Sequence, residues 1–141
     1  MTTSMNPVAV ALFNKLTGSA ALTALLSAGT ASVFENEAPE NADLPYVVFN
    51  AQSPSVPIQS YGGVKFENAV YQVKGITQGP SAAAAGTIAD KIDVALADQA
   101  LTISGYTHHY CRRMQNIDYP ERGPAGIRYN HRGGLYRVIA S

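Results

Sequence analysis

Two stretches of helical period open the chain. Asn6-Pro7 favours a helix N-terminus, and Gly18 is expected to end this first helix. A second short helix is predicted between a Ser19 cap and Gly29. The residues expected to face the core are Val8, Leu12, Phe13 and Leu16 in the first helix and Leu22, Leu25 and Leu26 in the second.

After residue 30 the apolar positions take the period of strands. We predict a short strand around 32–34, an acidic loop, a strand from 45 to about 52 and a long strand over 64–78. Between the last two, residues 53–63 carry Pro54, Pro57 and Gly62-Gly63. Prolines remove backbone donors and glycines permit positive φ angles, so we expect this segment to be a loop that continues no sheet.

The rest of the chain predicts one amphipathic helix and further strands. The helix is expected over 82–97, with a Ser81 cap and an apolar stripe that includes Ile88 and Ile92. Strands are expected over 101–103, 106–117, 127–132 and 135–139, with a loop over 118–126 and with Gly133-Gly134 breaking or bulging the last strand.

This order of elements predicts an α+β fold. We expect a mainly antiparallel sheet with two short N-terminal helices and one longer amphipathic helix packed on one of its faces. A single domain is expected over residues 1–141, with mobile loops near 53–63 and 118–126.

The composition indicates the compartment in which the protein is made and folded. One cysteine, Cys111, excludes an intrachain disulfide, and the N-terminus lacks the basic start and apolar run of a secretory signal. The apolar stretch 19–28 is too short to span a bilayer. We therefore expect a protein that is made and folded in a cytoplasm, without a membrane anchor.

The formal net charge of zero hides a separation of charge along the chain. Residues 1–99 contain four lysines and eight acidic residues, whereas residues 100–141 contain six arginines and two acidic residues. The two parts thus carry −4 and +4. Copies of such a chain can attract one another head to tail or around a ring.

The most reactive-looking segment is THHYCRR, residues 107–113. On a strand, His109 and Cys111 point to one side, and His131 is a candidate third metal ligand. The same residues with Asp118 would suit a cysteine nucleophile activated by the neighbouring arginines. The segment lacks the CxxC and HxxxH spacings of structural zinc sites, so a half-buried strand is the favoured interpretation.

Nucleotide-binding motifs are absent from the glycine pattern, since neither GxxxxGK[ST] nor GxGxxG occurs. Arginines interleaved with tyrosines near the C-terminus are typical of two kinds of surface, a nucleic-acid site and a protein interface. Neutral net charge and the lack of a basic run longer than two residues favour the protein interface. The tyrosines are Tyr106, Tyr110, Tyr119, Tyr129 and Tyr136.

Three segments carry a resemblance to a known family. They are residues 7–49, which end in VFENEAPENADLPYVVF, residues 71–96 (YQVKGITQGPSAAAAGTIADKIDVAL) and the closing RGGLYRVI. The pattern resembles the tail-terminator, or tail-completion, proteins of long-tailed bacteriophages, which also occur in gene-transfer particles. It consists of two short helices, a V(F/Y)…APE/Q…LPYVVF segment, a long strand, a helix that begins with small residues and a terminal strand.

The resemblance implies a structural virion protein and no enzyme, catalytic residue, metal or cofactor. It implies a ring, typically of six subunits, that caps the head-proximal end of the tail tube, stops tail polymerisation and joins tail to head. The implied partners are further copies of the chain, the major tail tube protein and a head completion or connector protein, with DNA passing through the lumen without specific binding.

Charge and loop positions predict the contact residues. We expect the acidic loop to face the arginine-rich strands of a neighbouring subunit or of a tail protein, with the 53–63 segment contributing. The candidates are Glu35, Glu37, Glu40, Asp43, Ile58, Tyr61, Arg112, Arg113, Arg122, Arg128 and Arg132. The alternative functions are another head-tail connector or minor tail protein, and a small cysteine- or metal-dependent enzyme.

Overall fold

Helices cover one face of a mainly antiparallel sheet in this computed structural model, which describes residues 5–52, 58–60 and 63–140. The prediction of an α+β fold is confirmed. The elements are α1 (Met5–Thr17), α2 (Ala20–Thr23), β1 (Val33–Glu35), β2 (Tyr46–Ala51), β3 (Ile58–Ser60), β4 (Gly63–Gln78), α3 (Ala83–Leu96), β5 (His108–Arg122) and β6 (Arg128–Ala140), with short 3-10 helices at Gly29–Ser32 and Pro124–Gly126.

The sheet has the order β1-β2-β4-β6-β5. The pair β1-β2 is parallel and the other pairs are antiparallel. The strand β3 pairs with the start of β4, where residues 63–66 have no other strand partner in the part of the chain that the structure describes. The β3-β4 hairpin therefore extends past the end of β6, whose Ala140 pairs with Glu67.

The core lies between the helices and one face of the sheet. Alternate residues of β4, such as Tyr71 and Val73, point into it and are almost fully buried. From α3, Ile88 and Ile92 meet them. A Cβ at position 75 would overlap the side chain of Ile88, so Gly75 lets α3 lie close to the sheet.

The opposite face, called here the open face, carries no helix among the described residues. Because side chains alternate along a strand, the neighbours of core residues point to it. Lys74 follows the core residue Val73, and Arg137 precedes the core residue Val138. The open face also carries half-buried apolar side chains, including Leu135 and Ile139.

The N-terminal helices differ in part from prediction. Ser19 caps α2 through its hydroxyl, which accepts the Leu22 N–H at 3.3 Å. However, α2 ends at Thr23, residues 24–28 form turns, and a 3-10 helix begins at Gly29. Phe13 and Leu25 are 38% and 36% exposed, so their predicted place in the core is wrong. Within the described residues no helix is long and apolar enough to cross a bilayer.

The two predicted loops are partly strands. Residues 58–60 form β3. Pro54 and Pro57 precede this strand in the sequence, so all three of its residues keep their backbone N–H groups. Residues 53–57 and 61–62 lie outside the described residues, and with them the candidate Tyr61. The 118–126 loop is wrong up to Arg122, where β5 ends. Pro120 is tolerated within β5 because no described strand pairs with its outer edge.

The closing glycines do not break the last strand. Gly133 pairs with Lys74 and Ile117, and Gly134 with Val73 and Asn116, inside one continuous β6. Their missing side chains permit close approach instead of a bend. The predicted strand at 101–103 is also wrong, since Leu101 and Ile103 are buried without strand pairing. Within the described residues, two strands therefore follow α3 instead of three or four.

Candidate functional site

The cysteine of the THHYCRR segment is a core residue. Cys111 has no exposed surface and packs in the main cluster beside Val138, its cross-strand partner. Burial, reinforced by the nearby carboxylates of Asp98 and Asp93, raises the pKa of the Cys111 thiol to about 12. A thiol held in the neutral form is a poor nucleophile and a poor metal ligand.

The predicted partners of Cys111 point elsewhere. His109 occupies a β-bulge between His108 and Tyr110 and is exposed. His131 lies on the open face, opposite to Cys111, since its neighbour Arg132 pairs with the helix-facing Gly75. The three side chains do not converge, and the described residues contain no group of three potential ligands suited to a metal ion.

His131 instead belongs to a polar network on the open face. Its Nε2 lies 2.7 Å from Glu121 Oε1, and its ring stacks on Tyr119 with centroids 4.5 Å apart. Lys74 Nζ donates to the Tyr119 hydroxyl at 2.6 Å. Burial lowers the pKa of His131, and the hydrogen bond to Glu121 only partly offsets this effect. The ring is therefore neutral at pH 7, and its Nε2–H donates to the Glu121 carboxylate.

Arg113 is committed to contacts inside the protomer. Its side chain crosses over Gly134, and its Nε and Nη2 donate to the Tyr136 hydroxyl at 3.0 and 2.7 Å. The same hydroxyl donates to Asp93 Oδ1 at 3.0 Å, and Arg113 Nε lies 3.2 Å from that oxygen. Burial raises the pKa of Tyr136, although Arg113 lowers it, so the phenol stays protonated. This network fastens β5 and β6 to α3.

The other predicted arginines also have partners, with one exception. Arg132 Nε pairs with Asp118 Oδ1 at 3.0 Å, and Arg112 Nε with Asp98 Oδ1 at 3.0 Å on a well-exposed edge. Arg128 donates to Asn130 Oδ1 and to the Pro80 carbonyl. Arg122 is exposed and has no ion pair within the described ranges.

The acidic loop is fully presented to solvent. Its four carboxylates, those of Glu35, Glu37, Glu40 and Asp43, are exposed, and none forms an ion pair with another described residue. The loop backbone is held at two points. The Asn36 N–H donates to the Phe49 carbonyl at 2.8 Å, and the Ser27 hydroxyl donates to the Asp43 carbonyl at 2.7 Å.

This loop lies at one end of the sheet, beside the β5-β6 connection. Glu40 and Leu44 line a pocket of about 260 Å³ together with Glu121, Pro124 and Tyr129. The arrangement offers carboxylates at a surface, and such a surface can attract a cationic partner.

Arg137, toward the other end of the sheet from Glu40, was not among the residues predicted from the sequence. Arg137 lies on the open face directly across from Arg112, and its Nε is enclosed without a hydrogen-bond partner in the described part of the chain. Arg112 in turn lies over the Tyr110 ring at 5.4 Å. The alternation Tyr136-Arg137-Val138 indicates that Arg137 points to the face opposite its two neighbours. Only the pairing register of β5 and β6 shows that Arg137 lies beside Arg112.

Comparison with known proteins gives a family match and structural matches. Residues 10–137 match a family described as "Tail completion protein gp17". A chain of a solved structure titled "Virion of native gene transfer agent (GTA) particle" has a TM-score of 0.73 to this protein, covering 99% of this chain and 98% of that chain at 17% identity. At this identity the likeness shows the fold. No curated protein sequence matches the chain.

Proposed function

The chain belongs to the tail completion protein gp17 family, and from this premise we propose that it forms a ring that caps the head-proximal end of a tail tube, stops tail polymerisation and joins the tail to the head. The family match, from residue 10 to residue 137, carries the proposal. Membership makes the chain a structural protein of the virion tail; the ring, its expected six subunits and its capping role are the proposed part.

The geometry of the protomer supports a ring. A closed ring needs two different surfaces on each subunit that fit each other, because each contact joins the front of one copy to the back of the next. The exposed carboxylates of the acidic loop and the Arg112–Arg137 pair lie toward opposite ends of the sheet. Opposite charges on separate ends favour head-to-tail contact and disfavour face-to-face pairing.

The proposed partners follow from the two sides of such a ring. We propose that one side meets the last ring of the major tail tube protein and that the other meets a head completion or connector protein. The β3-β4 hairpin supports this arrangement, because it extends past the end of β6 and thereby presents backbone beyond the body of the sheet.

DNA can pass through the lumen only if the protein binds it weakly. Three arginines, Arg112, Arg113 and Arg132, are paired with carboxylates, which reduces the number of phosphates that the protein can neutralise. We expect no detectable binding of duplex DNA at physiological salt in a fluorescence anisotropy titration. Affinity in the nanomolar range under those conditions would contradict passage without specific binding.

The runner-up function is that of another head-tail connector or a minor tail protein. Particles produced without this chain distinguish the two. We expect overlong tails and heads that are not joined to tails, because nothing would stop the tube or present a surface to the head. Tails of normal length on leaking or empty heads would instead assign the chain to the connector. Complementation with the wild-type chain is the control.

A further inference from the structure

Two arginines face each other on the open face without enough carboxylates to balance them. Arg112 and Arg137 are direct cross-strand partners of β5 and β6. Like charges in that arrangement repel and destabilise a sheet unless a counter-charge is near. Asp98 lies against Arg112, but that pair is 68% and 72% exposed and is screened by water.

Arg137 itself has no charged partner among the described residues. The register places Val70 and Arg112 on either side of it, with Leu135 and Ile139 before and after it along the same face. No hydrogen bond or ion pair among the described residues involves its side chain, and its Nε is enclosed. A guanidinium half-buried among apolar groups is stabilised most by a carboxylate that binds two of its N–H groups.

The acidic loop has the complementary property. Its four carboxylates are exposed and unpaired within the described residues, and the loop also carries the apolar residues Pro39 and Ala42. The half-buried apolar side chains around Arg137 could cover such residues and exclude water from the ion pairs.

The part of the loop around Glu40 cannot reach the arginine pair of the same protomer. Glu40 lies beside Glu121 at the end of β5, whereas Arg112 is near its beginning. Nine residues of strand separate these positions by about 30 Å. Glu35 lies on β1, at the edge of the sheet opposite to β5. A contact between the two surfaces must therefore join different molecules.

We propose that the acidic loop, residues 35–43, of one copy docks on the Arg112–Arg137 pair of the next copy. The inference rests on the proposed ring and names its subunit contact. Because the two surfaces differ, the contact is heterologous and repeats from copy to copy until the ring closes. Arg112 has an internal partner, Asp98, but it lies beside Arg137, which has none among the described residues. Arg113 and Arg132 are left out because carboxylates of the helix-facing side hold them. The cross-strand pair Arg122–Arg128 is left out because it lies at the same end of the sheet as the acidic loop.

Charge reversal in both surfaces tests the contact. One variant carries Arg112→Glu and Arg137→Glu, and a second carries Glu37→Lys and Glu40→Lys. Each alone is expected to raise the concentration for half-assembly by about 30-fold or more. Like charges meet at every contact of the arginine variant, and the loop of the second variant loses its net negative charge. Sedimentation velocity measures assembly, and circular dichroism with thermal unfolding shows that each variant is folded.

Restored assembly of charge-reversed variants is the decisive observation. Combining all four substitutions in one chain should restore assembly, since the two introduced lysines then face the two introduced glutamates. A 1:1 mixture of the two reversed variants should also assemble, with the two variants alternating and an even number of subunits in every closed ring. The matched control, Lys15→Glu with Lys91→Glu on the helices, has the same charge change as the arginine variant and should assemble like wild type.

The outcomes separate this contact from the ring itself. If the wild type forms rings and both reversed variants do so at the same concentrations, the contact is wrong and the ring stands. Open filaments or dimers that obey the charge rules support the contact and count against the ring. A wild-type chain that stays monomeric at every concentration overturns both. If the arginine variant does not fold, Arg112→Gln with Arg137→Gln replaces it, and unchanged assembly of that variant overturns the contact.

Discussion

Replacing Gly133 by valine should lower the free energy of unfolding by about 3 kcal/mol, because the new side chain would overlap the backbone of β4. A Cβ at this position would lie 2.6 Å from Lys74 Cα and would also overlap the Val73 carbonyl oxygen. Backbone atoms in the centre of a sheet cannot turn aside as a side chain can. The strands β4 and β6 would therefore have to separate where both are paired on each side.

Urea unfolding followed by circular dichroism measures this loss. Gly86→Ala is the matched control, since the Cβ there would meet only the flexible end of Arg132, at 2.9 Å. Alanine favours a helix interior by about 1 kcal/mol over glycine, so this variant should equal or exceed wild type in stability. If Gly133→Val unfolds at the wild-type urea concentration, the described β4-β6 packing is wrong.

Removing the Arg113 side chain should lower the free energy of unfolding by about 2 kcal/mol, since Tyr136 and Asp93 would lose their common partner. The loss should be smaller than for a fully enclosed pair, because the Asp93 side chain is 41% exposed. Arg113 also bonds the Ala89 carbonyl at 3.1 Å, and it thereby holds β5 against α3.

Arg113→Ala is best compared with Arg122→Ala by thermal and urea unfolding. Arg122 lies on the same strand but is exposed and unpaired among the described residues, so its loss should change stability by less than about 0.5 kcal/mol. Tyr136→Phe should fall between the two variants, since it removes the hydroxyl and keeps the ring. Equal stability of Arg113→Ala and wild type would refute the structural role assigned to Arg113.

The sequence was sufficient for the elements with a strong period. Long β4 alternates between core and open face, and α3 carries its apolar stripe at helical spacing, so both were predicted within one or two residues. Turn chemistry misled the prediction elsewhere. Pro120 and the Gly133-Gly134 pair normally end strands, but an outer edge accepts the proline and close packing requires the glycines.

The sequence predicted the exposure of the acidic loop but not which arginines have internal partners. Four clustered carboxylates in a proline-bearing loop foretold an exposed acidic surface, because no short-range partner was in reach. The arginines could not be sorted in the same way. Whether a guanidinium is free depends on long-range register, which sets Asp118 beside Arg132 and brings Asp93 of α3 to Arg113 while leaving Arg137 beside another arginine.

Electron microscopy of the purified chain mixed with tail tubes shows whether the chain caps a tube as a ring. We expect closed rings with a mass of about six times the 14.9 kDa of one chain, one ring at one end of each tube, and no further growth of capped tubes when tube subunits are added. Bare tube ends, continued growth and a chain that stays single at every concentration would contradict this expectation.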